Sequence, residues 1–372
     1  MDTMQAELIF KKGTEFTRKE EERIGKTLDR LESPFGFSYC DVLKSGVIYG
    51  RDETKIIVKL SFPRFYFENN AHLITTYAEC AKVQKHFVKQ LKEDKLLSKI
   101  KAIRVTRVDI PFTYLIEEGK NFYDYTNVFK VLALAFTKTY KEIEVKSIVD
   151  TLKKREQTII YADTPTISAY NKKITIYNQM KNLDSKNTEL IDMERTLEKY
   201  PDLPRRMRIE MSKRIKRKEM TLKEFGEYEL FKEYLEKYKR ELKKLLFDEE
   251  LLDIVYEEGV ENLSEIFEKE KEYRGNSFTY KKFVSDYKED IYDYKFLKGA
   301  VENVISKQKT RESAITEIRK ELNIQEERKG LIVIGVRKII EDIAKTVKKS
   351  FKGQRKKKAK KDEWDNLGEF PF

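Results

Sequence analysis

The sequence predicts an α+β fold: a mainly antiparallel sheet with attendant helices, followed by an α-helical C-terminal part and a disordered basic tail. Three observations lead there. Strand-like segments rich in β-branched residues alternate with helix-like ones as far as residue 218. From there to residue 344 nearly every segment has helical periodicity. The remainder opens with ten lysines and arginines between positions 345 and 361 and no acid, a composition that does not fold alone. The expected units are 1–218, 219–344 and 345–372.

GVIYG (46–50) and KIIVKLSF (55–62), joined by the turn-like RDET, read as a hairpin. Residues 70–94 read as a helix, and AIRVTRVDIPFTYLI (102–116) as a long strand interrupted by Pro111. An apolar helical stretch covers 125–140. QTIIYAD (157–163) and ISAYNKKITIYNQ (167–179) are predicted strands around a Thr-Pro turn, and NTELIDMERTLEKY is a helix ended by Pro201. RRMRIEMSKR (205–214) is one more strand. Thr221, with Glu224 three residues on, is the capping box of one long amphipathic helix over 221–246. Residues 296–324 read as two amphipathic helices, the commoner arrangement, or as a helix-turn-helix.

A core is affordable at 372 residues and 40% hydrophobic content, which excludes a disordered protein. The 38% charged residues and net charge of +12 point to a polyanionic partner, and 12% aromatics permit stacking on bases. Cys40 and Cys80 alone give neither a disulfide framework nor a cysteine zinc site, and fit a reducing cytosol. The apolar runs VLALAF (131–136) and LIVIGV (331–336) fall far short of the roughly 20 residues of a spanning helix. MDTMQAELIFKKG lacks the apolar core of a signal peptide, so the expectation is a cytoplasmic protein with no membrane partner. Two histidines, His72 and His86, argue against histidine-based catalysis, and no G-x-x-x-x-G-K-[ST] loop is present.

Carboxylate chemistry with a hard metal stays open. Simple alternation in RVTRVDIPF puts Asp109 on one face with Ile103, Val105 and Arg107. An ionised carboxylate among apolar residues needs a partner, either Arg107 or a divalent cation. In RRMRIEMSKR, Met207, Ile209 and Met211 belong to the core, while Glu210 shares the other face with Arg208 and Ser212. If the two strands are neighbours, Asp109 and Glu210 together hold one Mg²⁺ or Mn²⁺ while Arg205, Arg206 and Arg208 neutralise a DNA backbone. Three strand tyrosines, Tyr161, Tyr170 and Tyr177, lie between these acids in sequence; each taken singly is a packing residue in a chain with 21 tyrosines.

The order RVTRVDI, TIIY, ITIYNQMK, RRMRIEM resembles rolling-circle replication initiators of the plasmid Rep_trans and filamentous-phage gene II type. Those families carry an R-x-D strand, a tyrosine strand, a Y-[DN]-K strand and an R-x-E strand in this order. KLSFPRFYFENNAHLI (59–74) resembles the Pro-aromatic-Asn segment of phage-type members, and the resemblance covers roughly residues 50–245. It implies a nicking and joining enzyme in which Asp109 and Glu210 bind metal and Tyr161 attacks one strand, keeping its 5′ phosphate while the 3′ hydroxyl primes replication. Two departures stand out. Tyr161 is followed by Ala162 and Asp163 where the families soon place glycine, which makes Tyr170 a competing nucleophile. The family lysine is Gln179 here, so Lys181 or Lys172 would supply that charge, beside Arg107 on the DNA.

In this reading residues 1–218 are the nicking domain and 219–344 recognise an origin or dimerise. Lys356, Lys357 and Lys358 in the tail grip DNA, single-stranded or supercoiled. DEWDNLGEFPF resembles the C-terminal tip of bacterial single-stranded DNA-binding protein, which implies docking of Phe370, Pro371 and Phe372 on a host replication helicase or other host replication protein. An acidic end that balances the lysines is the plainer account. Two rival readings share these features: a non-cleaving origin-binding protein or repressor, and an interaction protein that recruits host factors through the Pro-Phe tip.

Overall fold

A computed structural model describes residues 1–67, 69–120, 122–125, 144–150, 155–162, 172–185, 193–247, 249–287, 294–329, 341, 342 and 345. Residues 126–140 of the predicted helix, Tyr170, and residues 346–372 of the basic tail with its Pro-Phe tip lie outside them.

Among the described residues eight strands form one sheet in which every pair is antiparallel. They are β1 (Thr3–Phe10), β2 (Cys40–Tyr49), β3 (Thr54–Ser61), β4 (Ile100–Leu115), β5 (Glu144–Asp150), β6 (Arg155–Ala162), β7 (Lys172–Asn178) and β8 (Arg206–Met220). Their order is β2-β3-β1-β4-β8-β7-β6-β5, so the two strands that carry Asp109 and Glu210 are neighbours at the centre. β1, which the sequence reading did not recognise, is inserted between β3 and β4. Its alternation is only partial, with Met4, Ala6 and Leu8 fully buried.

One face of the sheet is apolar. Met4, Val108, Ile110, Phe112, Ile174, Ile176, Met207, Ile209 and Met211 are all buried there, as expected for the β8 methionines. Helix α3 (Tyr77–Glu93) and, after β8, α6 (Leu222–Glu227) and α7 (Leu230–Phe247) contribute to the same core. The Tyr238 hydroxyl of α7 donates to the Val108 carbonyl at 2.6 Å. Buried Gln84 of α3 donates to the Phe225 and Tyr228 carbonyls at 2.9 and 3.0 Å.

Several boundaries differ from expectation; β2 begins at Cys40, ahead of residue 46, and β4 runs through Pro111 without the expected interruption, its residues paired with β8 on both sides of it. The helix expected from residue 70 begins at Tyr77, where Thr76 and Glu79 form a capping box, because the preceding residues lie across the sheet. The Thr221 capping box is present, but the expected single helix is two, α6 and α7, parted at Tyr228 and Glu229 where Gln84 takes up the loose carbonyls. β8 runs on to Met220, past residue 214 where the predicted strand ends.

The shorter helices are α1 (Arg18–Asp29), α2 (Phe62–Tyr66), α4 (Gln179–Ser185) and α5 (Met193–Lys199). The C-terminal helices are α8 (Glu249–Arg274), α9 (Tyr280–Asp286), α10 (Tyr294–Val304) and α11 (Gln308–Lys329). α8 and α10 approach closely at two glycines: a Cβ on Gly259 would meet the Phe296 ring at 3.2 Å, and one on Gly299 would meet Val260 at 2.9 Å. No helix among the described residues is long and apolar enough to cross a membrane.

Candidate functional site

The second face of the sheet is polar, and a β-bulge makes it so. Between β1 and β4 the register slips at Thr106: Ala6 pairs with Val105 but Gln5 with Arg107. The extra residue reverses the alternation, so Val105 stays with the core while Arg107 and Asp109 turn to the opposite face. The simple alternation that grouped Asp109 with Ile103 and Val105 is corrected by this bulge.

Register then fixes who meets whom. Asp109 pairs with Thr3 on one side and Ser212 on the other, and Ser212 pairs with Lys173. Glu210 pairs with Pro111 and Thr175. Asp109 and Glu210 are therefore diagonal neighbours on one face, a relation that in a regular sheet spans about 7–8 Å.

Asp109 is 1% exposed, and its charge is met by Arg107, whose Nε donates at 2.9 and 3.0 Å and Nη2 at 2.5 Å. The Thr3 hydroxyl also donates to it. The Tyr177 hydroxyl donates to Glu210 Oε2 at 3.3 Å. Burial, and then the Glu210 charge, hold the Tyr177 hydroxyl well above its ordinary pKa, so it keeps its proton at neutral pH. Lys173 is pushed below its ordinary value, chiefly by burial; Glu210 and Asp109 oppose this, and Arg107 and Arg214 add to it. Those four charges surround the lysine.

The other predicted residues go to varied places. Arg208 is 1% exposed and its Nη2 donates to the Asn70 carbonyl at 2.7 Å, which ties the 69–74 segment across the polar face. Arg206 grips Asp202 at 2.9 and 2.7 Å and the Ala71 carbonyl at 2.6 Å. Arg205 donates to the Ile116 carbonyl at 2.9 Å. Gln179, at the position where the resemblance expects lysine, is buried and donates to the Asn70 and Ala71 carbonyls at 3.1 Å each. Lys172 forms an ion pair with Glu241 of α7 at 3.3 Å, in the row of Lys213 on the other side of the sheet. Lys181 lies on α4, half-buried. Tyr161 on β6 occupies the row of Ile174 and Met211, one step out of phase with Thr175 and Glu210.

Sequence reasoning thus named both acids but underweighted Tyr177 and missed Thr3, Lys173 and Asp2. The signal for Tyr177 was its parity with Thr175 on a strand next to Glu210; Thr3 and Asp2 could be found only by placing β1. Several buried polar atoms near this face have no hydrogen-bond partner among the described residues: Asp2 Oδ1, Thr175 Oγ1, Ser212 Oγ, Gln179 Oε1, and Nε and Nη1 of Arg208. No group of three or more His, Cys, Asp and Glu side chains able to hold a metal occurs among the described residues.

No family model matches the chain, and no curated protein matches it. Among solved structures the chain is similar to a rolling circle replication initiator protein from Geobacillus stearothermophilus, at 12% identity over 57% of this chain and 72% of that one. The TM-score is 0.25, a loose and partial likeness.

Proposed function

We propose that the chain is a metal-dependent DNA nicking and joining enzyme that initiates rolling-circle replication of a phage or plasmid. The observation that carries this reading is the convergence of Asp109 and Glu210 on one polar face, with Tyr177 on the glutamate and Lys173 among the same charges. Two carboxylates suit Mg²⁺ or Mn²⁺, which are held by one or two protein carboxylates and otherwise by water and phosphate oxygens. The unpartnered oxygens of Ser212, Thr175 and Asp2 add hard donors to that fit. Bound there, the ion would neutralise charge developing on the scissile phosphate.

The chain's own groups do the rest. A tyrosyl oxygen forms a bond to the 5′ phosphate, the bond to the 3′ oxygen breaks, and that oxygen takes up a proton as the tyrosine gives one up. Three tyrosines compete for this role: Tyr161 and Tyr170 on motif order, Tyr177 on geometry. Lys173 provides, on the same face as the acids, the cation that Gln179 cannot. Lys356, Lys357 and Lys358 hold the DNA backbone, and Phe370, Pro371 and Phe372 dock a host replication protein.

A non-cleaving DNA-binding protein is the second reading, favoured by one observation: Arg107 already neutralises Asp109, as in a structural ion pair. A covalent-adduct assay separates the two. The protein is incubated with Mn²⁺ and supercoiled or single-stranded DNA and run on a denaturing gel. The expected result is a DNA-linked protein that disappears in Asp109→Ala, in Glu210→Ala and in one of Tyr161→Phe, Tyr170→Phe and Tyr177→Phe. DNA binding without an adduct under any divalent metal overturns the nicking reading in favour of the second.

A further inference from the structure

We propose that a strip of aromatic rings and cations along the rim of the polar face is a binding surface for single-stranded DNA, whose bases stack on Phe35 and Tyr200. The proposal rests on the nicking reading only for the identity of the polymer as DNA.

Five rings from separate parts of the chain form an unbroken series. Phe35 lies 5.7 Å from Tyr66, Tyr66 6.2 Å from Phe67, Phe67 4.6 Å from His72 and His72 6.0 Å from Tyr200. Cations sit over the rings: Lys82 at 5.7 Å from the Phe35 centroid, Lys199 at 5.9 and 5.8 Å from Phe67 and Tyr200, and Arg206 at 5.3 Å from Tyr200. Lys82 and Lys199 are exposed.

Packing alone does not account for Phe35, which is 50% exposed. A tight turn holds it out: the Ser33 hydroxyl accepts from the backbone N–H of Phe35 and Phe37, and Gly36 takes the left-handed φ of 81° that the turn requires. The series also borders the acids. α2, which carries Tyr66, starts directly after Ser61; Ser61 pairs with Thr3, and Thr3 with Asp109. The segment that carries His72 is tied over β8 by Arg206 and Arg208.

Half-buried rings interleaved with lysine and arginine suit a single strand, whose unpaired bases offer their faces to rings while the cations meet phosphates. A duplex keeps those faces stacked and hidden. Charge selects a polyanion over an ordinary protein partner, since exposed Lys82 and Lys199 sit beside these rings.

The test is fluorescence anisotropy with the full chain in EDTA, using one labelled mixed-sequence oligonucleotide both single-stranded and as its duplex. Phe35→Ala is expected to weaken single-strand binding about 5- to 150-fold, the range for loss of one stacked base, with duplex binding unchanged. Phe35→Trp should restore it, and Tyr200→Ala should repeat the loss. Equal weakening for both DNA forms, no weakening, or no rescue by tryptophan overturns the proposal. Because EDTA removes any metal-dependent cleavage, a chain that forms no covalent adduct can still pass this test, and one that forms an adduct can still fail it.

Discussion

The buried Asp109 carboxylate is held by a neighbour two residues away. A carboxylate with 1% exposure would be untenable alone, and the Arg107 fork supplies both charge and hydrogen bonds. Removing one member of a buried pair leaves the other uncompensated, so Arg107→Ala is expected to cost about 3–5 kcal/mol in a denaturant titration. If Asp109 and Glu210 hold a divalent ion, Mn²⁺ takes over the role of the missing guanidinium and recovers part of that loss. The double variant Arg107→Ala/Asp109→Asn should be more stable than Arg107→Ala alone and indifferent to Mn²⁺. A midpoint for Arg107→Ala that does not move with Mn²⁺ would count against the metal site itself, independently of any DNA chemistry.

At the scale of elements, much of the architecture was legible because period-2 and capping signals are local. The RVTRVDIPF strand, the core methionines of β8 and the Thr221 capping box all appear where their residues place them. The bulge at Thr106 was not legible, since an extra residue in a ladder depends on the partner strand, and with it went the face on which Asp109 stands. The split between α6 and α7 was hidden for a similar reason: the helical period continues through Tyr228, but Gln84, far away in sequence, stabilises the break. This joint is testable. Gln84→Ala strands two carbonyls and should cost about 1–3 kcal/mol by chemical denaturation. Gln84→Glu should cost more at neutral pH, because a carboxylate then faces two acceptors. The gap between the two variants should narrow on acidification, when the protonated acid can donate again; an unchanging gap would refute the role given to this side chain.

For the molecule as a whole, 77 basic and 65 acidic side chains leave few groups that titrate near neutrality. Both cysteines are pushed up by burial, Cys80 to about 12, which removes them from that window. Among side chains the two histidines remain, and burial is the leading cause that pulls each below the ordinary imidazole value of 6.5. The sign follows from linkage. With a lower pKa in the folded state, the unfolded chain binds more protons in this range, so stability rises with pH and falls as pH drops through 6.5 toward the folded values. Each histidine can contribute a slope of at most about 1.4 kcal/mol per pH unit. Denaturant titrations between about pH 5 and 7, above the main carboxylate range, should therefore lose midpoint steadily on acidification. His72→Gln/His86→Gln should flatten that dependence, and since His86 meets the Tyr39 hydroxyl at 3.2 Å, glutamine there keeps a polar partner without the titration. A slope that survives in the double variant would mean that groups other than the histidines change protonation on folding in this range, the buried Met1 amino group, which burial also pulls below its ordinary value, foremost among them.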